Sequence, residues 1–448
     1  MDGAVDSAEV GRRALAKATW RLIPFMFLLY IVAYLDRVNV GFAALQMNED
    51  LGLSDAVYGL GAGIFFIGYF IFEVPSNLIL ERVGARVWIA RIMITWGVIS
   101  AAMFLVTGPY SYYALRFLLG VAEAGFFPGM ILYLTYWFPA RERARRVALF
   151  MAAIPLAGVI GSPLSGLLLE LDGLAGLRGW QVLFLAEGIP AVILGVIVLF
   201  YMTDGPEHAG WLRPEERGWL RDALARENRI KADQGEYTTR QALTNGRVWV
   251  LSLVYFGVVT SLYGVSLWLP LIIEEFSGLG PVAVGLLGAI PYLVATIGMV
   301  LFARRSDATG ERRWHVAIAA FIATAGLVLT GLVGDSVALQ MLALTIASLG
   351  IYSTLATFWS LPTAFLSGTA AAAGIALVNS VGNLGGFVGP YAVGFLSERT
   401  GSTYSGMLFL AVLILLAGLL TVLAVRHERA LEEVEDVIGP VSGTPQGG

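Results

Sequence analysis

The stretch "YLDRVN", Tyr34–Asn39, sets an aspartate beside an arginine inside an apolar run from Leu22 to Leu45. About 20 mainly apolar residues suffice to cross a bilayer. The run is therefore long enough to span, yet it carries Asp36 and Arg37. An ionisable group at a bilayer centre costs roughly 2.5–3.5 kcal/mol even on lenient insertion scales. Such groups are tolerated where they meet a wetted cavity or a partner. The run reads as a membrane helix with one functional face.

The remainder of the chain agrees with that reading. Of its 448 residues, 57% are hydrophobic and 14% charged, against about 25% charged in soluble domains. This is the composition of a polytopic membrane protein. The net charge of −4 is small and calls for no nucleic-acid partner. Cysteine is absent, which excludes disulfides, thiolate catalysis and cysteine-ligated metal. The histidines, His208, His315 and His427, are scattered at loops and span ends. No metal-ligand cluster, Walker motif or triad pattern is present, so the chain is not expected to be an enzyme. The first apolar run is too long for a signal peptide and lacks an A-x-A site, so it is expected to be retained.

Hydropathy predicts twelve spans, near 21–45, 57–80, 87–107, 110–137, 144–169, 181–203, 248–273, 283–303, 314–333, 337–365, 371–396 and 404–426. Residues 1–203 would form an N-terminal segment and a six-helix half, 204–247 a central loop, 248–426 a second six-helix half, and 427–448 a tail. Arginines orient the spans. Arg82, Arg86 and Arg91, then Arg141, Arg143, Arg145 and Arg146, then Arg304, Arg305, Arg312 and Arg313 all fall in even-to-odd links. The opposite links "MNEDLGLSDAVY", "VTGPYS" and "EEFSGLGP" contain no Lys or Arg. By the positive-inside rule both termini and the central loop are expected in the cytoplasm. Within that loop, "WLRPEERGWLRDALAREN" (211–228) predicts a surface helix tethering the halves, with Pro214 in its first turn.

The halves repeat. Glu81, Gly84 and Arg86 of "ERVGAR" pair with Asp307, Gly310 and Arg312 of "SDATGERR" at a constant offset of 226. "GSPLSGLLLE" (161–170) resembles "GPYAVGFLSE" (389–398), pairing Pro163 with Pro390 and Glu170 with Glu398. The fold class expected is an all-α membrane protein, with twelve transmembrane helices in two pseudo-symmetric six-helix halves. Duplicated halves about an axis along the membrane normal are an architecture of secondary transporters. Glu81, Arg86, Asp307 and Arg312 are assigned to gating or structure.

Six ionisable residues fall well inside predicted spans: Asp36, Arg37, Glu73, Arg116, Glu123 and Glu187, all in the first half. Asp36, Arg37 and Arg116 are expected at one level of the membrane. Glu123 follows Arg116 by two turns, ~10 Å on the same helix face. Guanidinium groups stay charged and bind carboxylates bidentately, so an arginine at a cavity is an anion receptor. Burial makes a carboxyl group hold its proton, and a nearby arginine opposes this. An acid poised between the two exchanges a proton as substrate arrives. Glu123 is the first proton-coupling candidate and Asp36 the second, with Asp36 also able to pair with Arg37 or Arg116. The competing reading is a set of inter-helix salt bridges. Glu73 and Glu187 read as structural or gating.

Uncharged polar groups complete the expected site. Tyr30, Tyr34 and Arg37 share a helix face, Tyr69 lies mid-span, Trp359 and Ser360 interrupt the tenth span, and Asn379 and Asn383 are one turn apart. Each alone is more often a packing group than a ligand contact. Together they offer partners to a hydroxylated substrate. The glycines of "GVIGSP" and "VGNLGGFVGP" read as close-packing, hinge-capable surfaces.

"YLDRVNVGFA", "GYFIFEVPSNLILERVGAR", "RFLLGVAEAGFFPG", "YWFPARERARR" and "GPEHAGWL" together resemble the anion:cation symporter branch of the major facilitator superfamily. Within it the chain is most similar to tartrate-type permeases of bacteria. The resemblance covers essentially the whole chain. It implies the major facilitator fold and proton-coupled uptake of an organic anion through the inner membrane. The chain is expected to work as a monomer, with protons as coupling ion and no cofactor. The resemblance implies binding and coupling roles for Tyr34, Asp36, Arg37, Arg116 and Glu123, and substrate contacts from Trp359, Ser360, Asn379 and Asn383. Glu73 departs from the glutamine found near there in other members, which raises a second titrating site. "GSPLSG" also resembles the proline-glycine motif of exporters, so direction stays open. A proton-linked exporter and a non-transporting membrane sensor are the alternatives.

Overall fold

The computed structural model describes residues 2–233, 244–334, 336–359, 361–362 and 368–424, and they are helical apart from turns and short links. The first half contains α1 (Asp2–Leu51), α2 (Asp55–Val83), α3 (Ala85–Ala102), α4 (Pro109–Glu123), α5 (Phe126–Trp137), α6 (Ala140–Met151), α7 (Ala153–Leu169) and α8 (Gly179–Tyr201). A surface helix α9 (Pro214–Asp233) follows. The second half contains α10 (Gly246–Ser277), α11 (Pro281–Thr309), α12 (Arg313–Leu329), α13 (Val337–Phe358), α14 (Gly368–Thr400) and α15 (Thr403–Ala424).

Among the described residues ten helical segments are long and apolar enough to cross a membrane. The 17-residue α12 and the 33-residue α14 occupy the ninth and eleventh expected positions. Several expected boundaries shift. The first span extends back to Asp2 as one 50-residue helix. The fourth is broken at Ala124–Gly125, where Gly125 takes φ 88° and α4 gives way to α5. A side chain at Gly125 would also collide with Ser76 Oγ. The fifth divides at Ala152 into α6 and α7, while α13 of the tenth ends at Phe358 and the expected end near 365 lies outside the described residues.

Local signals set the ends. Ser54 caps α2 by accepting from the Val57 N–H, and Gly84 ends it at φ 97°. Asn245 caps α10, and Gly278 ends it at φ 63°. Pro109 and Pro281 stand in the first turns of α4 and α11, where a missing N–H costs nothing.

Each half packs internally, α3 on α8 and α2 on α4 in the first, α10 on α14 and α12 on α13 in the second. The halves meet along α2–α14, α7–α11 and α1–α10. At the α1–α10 crossing a Cβ on Gly41 would come within 2.7 Å of the Leu267 carbonyl oxygen, so glycine permits the approach. The arginine-poor end of the junction is closed by side chains. Glu398 accepts from Ser54 Oγ at 2.7 Å and from the Ala56 N–H at 2.9 Å, while Ser397 donates to Asp55 at 2.6 Å. Tyr58 donates to the Leu267 carbonyl at 2.6 Å and Trp268 to that of Pro390 at 3.1 Å.

The expected surface helix exists as α9, and it is bound to the first half. Lys17 pairs with Glu216 at 2.7 Å, Arg143 with Glu227 at 3.3 Å, and Trp211 stacks on Trp137 with centroids 5.3 Å apart. Burial works to raise the carboxyl pKa of Glu216. The Lys17 ammonium, the Arg213 N–H and the Arg213 charge outweigh it and hold the group below its ordinary value. A depressed folded-state value means this contribution is present at neutral pH and lost as pH falls through that value. A nitroxide at an engineered Arg221→Cys, in a chain without native cysteine, should therefore be immobile at neutral pH and mobilise on acidification below the usual glutamate range. Glu216→Gln should mobilise it at every pH.

Candidate functional site

Arg37, Arg116 and Glu123 come together where α1, α2, α4 and α10 meet. Adjacent helical residues point about 100° apart, so Asp36 and Arg37 leave α1 in different directions. Arg37 turns toward the junction between the halves. Its Nη2 pairs with Glu123 Oε1 and its Nη1 donates to the Tyr263 hydroxyl at 2.8 Å. Tyr263 follows Arg37 by 226 residues, the interval that relates the repeats. Gly41 and Leu267 are separated by the same interval. Symmetry-related positions of α1 and α10 thus touch one another at the crossing.

Asp36 turns the other way, into the first half. It is 0% exposed and accepts from Trp96 Nε1 and Ser100 Oγ, both at 2.7 Å, and from Asn39 at 3.5 Å. The expectation that it answers Arg37 or Arg116 gives way to this arrangement. Its charge is met by three neutral donors on α3 and α1, away from the junction.

Arg116 and Glu123 do share a face of α4, yet they do not pair with one another. Arg116 donates from Nε to the Gly61 carbonyl at 3.3 Å and from Nη2 to that of Ala62 at 3.0 Å. The Phe65 ring neighbours both arginines, with its centroid 5.5 Å from Arg37 Cζ and 5.1 Å from Arg116 Cζ. The face of an aromatic ring attracts a cation, so this phenylalanine helps hold both guanidinium groups. Polar atoms remain over, Arg37 Nε among them. Arg116 Nη1 and Glu123 Oε2 are buried without a hydrogen-bond partner among the described residues. A carboxylate oxygen in that state is where a proton would sit, and a guanidinium nitrogen in that state can take an anion's oxygen.

The other expected residues spread around this centre. Tyr69 lies beneath Arg37, 5.4 Å from Cζ to ring centroid. Tyr34 meets the Tyr352 hydroxyl at 3.5 Å, and Ser266 meets the same hydroxyl at 3.4 Å. Trp359 packs edge-on against Tyr255 at 4.8 Å. Asn379 and Asn383 donate to Glu73 across the halves at 2.7 and 3.3 Å. Glu187 stays inside the first half, accepting from Ser165 at 2.7 Å. Ser360 lies outside the described residues. Of the loop motifs, Arg86 binds Asp204 through its N–H at 2.8 Å and its Nε at 3.7 Å, while Glu81 and Asp307 are exposed and Arg312 is half-buried. Tyr263, Trp96, Ser100 and Phe65 escaped the reading of the sequence. The repeat interval applied to Arg37 would have found Tyr263. No comparable signal marked the other three.

A cavity of about 480 Å³ opens at the arginine-poor end among Asp55, Glu274, Glu275 and Glu398. Its walls are acidic, the wrong sign for an anion, and it lies away from Arg37.

The family profile described as Major Facilitator Superfamily matches residues 26–390. The chain belongs to the major facilitator superfamily. It is 55% identical over 427 residues to an Agrobacterium vitis protein whose name proposes tartrate transport, covering 95% of this chain and 94% of the relative. It is 46% identical over 404 residues to the quinolone resistance transporter of Acinetobacter baumannii, covering 90% of this chain and 93% of that one. A bacterial homologue of the human lysosomal transporter Spinster, crystallised inward-facing and unoccupied, shares the fold at TM-score 0.74 and 18% identity, over 90% of this chain and 96% of that one. As a major facilitator the chain is a multi-pass membrane carrier and not an enzyme.

In this carrier Arg37 is 7% and Glu123 0% exposed. Removing one partner of a buried ion pair strands the other and costs about 3–5 kcal/mol. Arg37→Ala should therefore lower the unfolding temperature in detergent steeply. Arg37→Ala/Glu123→Gln should recover most of the loss, because no charge is left unpaired. Equal melting temperatures for the single and double variants would contradict the pairing.

Proposed function

We propose that this carrier imports a small hydroxy-carboxylate together with protons, by alternating access between its two halves, residues 1–203 and 248–426. The observation that carries the reading is the Arg37–Glu123 pair at the junction, with Tyr263 of the opposite half on the same guanidinium. An arriving carboxylate can take the place of Glu123 on Arg37. Glu123 is then stranded in a buried site and takes a proton, so Arg37 keeps one anionic partner and Glu123 carries no charge. A site in which the Arg37 pair is maintained can close, whereas an unpaired charge there would resist closure. Arg116 supplies the second cation through its remaining Nη1, and Tyr34, Tyr69 and Trp359 offer hydroxyl, indole and apolar surface for the carbon skeleton.

Tartrate and sugar acids fit this chemistry, and the name of the Agrobacterium vitis relative favours the first. The positive-inside rule places the arginine-rich end in the cytoplasm. The side-chain closure at the opposite end then corresponds to a carrier shut toward the outside. A second reading, export of organic compounds, draws on the quinolone resistance transporter at 46% identity.

Proteoliposomes with an imposed pH gradient separate the two. Wild type should accumulate tartrate or a sugar acid when the proton gradient is directed inward. Glu123→Gln should retain substrate exchange and lose gradient-driven accumulation. Normal accumulation by Glu123→Gln would remove Glu123 from coupling, and proton-driven extrusion of organic compounds without hydroxy-carboxylate uptake would favour the exporter.

A further inference from the structure

Glu73 is a further buried carboxylate outside the Arg37–Glu123 pair. It stands one turn past Tyr69 on α2 and is 5% exposed, while its neighbours Phe72 and Val74 are 40% and 56% exposed. Its carboxylate is thus the group of that turn aimed into the protein. It reaches across to α14, where Asn379 Nδ2 donates to Oε1 at 2.7 Å and Asn383 Nδ2 donates to Oε2 at 3.3 Å. The two asparagines are one turn apart, so their amides stack along a single face of α14. Two amide donors each hold one oxygen of the same carboxylate. That is a fork for a carboxylate, and it belongs to the half opposite Arg37.

We propose that the Asn379–Asn383 fork receives one carboxylate of the substrate, and that Glu73 is an internal carboxylate occupying the fork until substrate displaces it. This inference rests on reading the central site as a carboxylate site. Glu73 then acts as a tethered competitor, present at an effective concentration on the order of mM. A substrate that engages the fork alone competes poorly. A short dicarboxylate can engage Arg37 with its other end. The Arg37 guanidinium lies over Tyr69, and Glu73 is one turn, ~5.4 Å, farther along α2. Glu73 thereby selects two-headed acids over single-headed ones, and each half of the carrier holds one head.

The test is binding to the purified full chain in detergent by calorimetry, with tartrate as the dicarboxylate and dimethyl tartrate as its uncharged counterpart. Glu73→Gln keeps the side chain's size and removes its charge. It should lower the tartrate Kd about tenfold, ~1.4 kcal/mol, and leave the diester unchanged. In the Asn379→Ala/Asn383→Ala background the same substitution should have no effect. A tartrate Kd that is unchanged or raised in Glu73→Gln overturns the proposal. So does a shift shared by acid and diester, or a gain that persists without the asparagines. Wild type that binds carboxylates while Glu73→Gln fails to tighten them defeats this inference alone. No carboxylate binding by wild type or any of these variants defeats it together with the transport reading.

Discussion

The buried guanidinium of Arg37 is answered by a counter-charge, and the identity of that counter-charge is what varies through the proposed cycle. Arg37 is held between Glu123 of its own half and Tyr263 of the other. Breaking the ion pair without replacement is costly in low dielectric. The site therefore favours states in which something anionic answers the guanidinium, whether glutamate or substrate. Carrier behaviour follows from this constraint, because an exchange of anions on one arginine can be tied to the gain or loss of one proton.

The fold serves that exchange by bringing repeat-related positions face to face. Gly41 lets α1 approach the α10 backbone. A few residues away along α1, Arg37 meets the residue that occupies its own position in the second repeat. Along α2 and α14 the contacts run from the Ser54–Glu398 closure at one end to Glu73 and its two asparagines. A polar contact between halves is made and broken more readily than an interlocked apolar one, since water can replace either partner. That such contacts recur along this seam fits a junction that opens.

Much of this architecture was legible in the sequence because membrane spans are written in composition. Long apolar runs, arginine-rich links and the 226-residue repeat led to the helices and to their two groups. Boundaries were less legible where geometry is set by a single residue, as at Gly125, whose positive φ breaks the fourth span. At the site, the buried charges announced themselves by their cost, so Arg37, Arg116, Glu123 and Glu73 were identifiable. Their partners were not. Whether Asp36 faces Arg37 or turns to Trp96 and Ser100 depends on the rotation of α1 against α3, which no local pattern encodes. The Glu73–Asn379–Asn383 contact joins residues some 306 and 310 positions apart, beyond the reach of periodicity.

In the proposed cycle a substrate carboxylate replaces Glu123 on Arg37 and sends a proton to the glutamate. Proton uptake by the purified carrier on addition of substrate, measured calorimetrically in buffers of different ionisation enthalpy, tests it most directly. Wild type should take up about one proton per anion bound near neutral pH, and Glu123→Gln none. Saturable binding by wild type with no proton uptake, or uptake undiminished in Glu123→Gln, would contradict it.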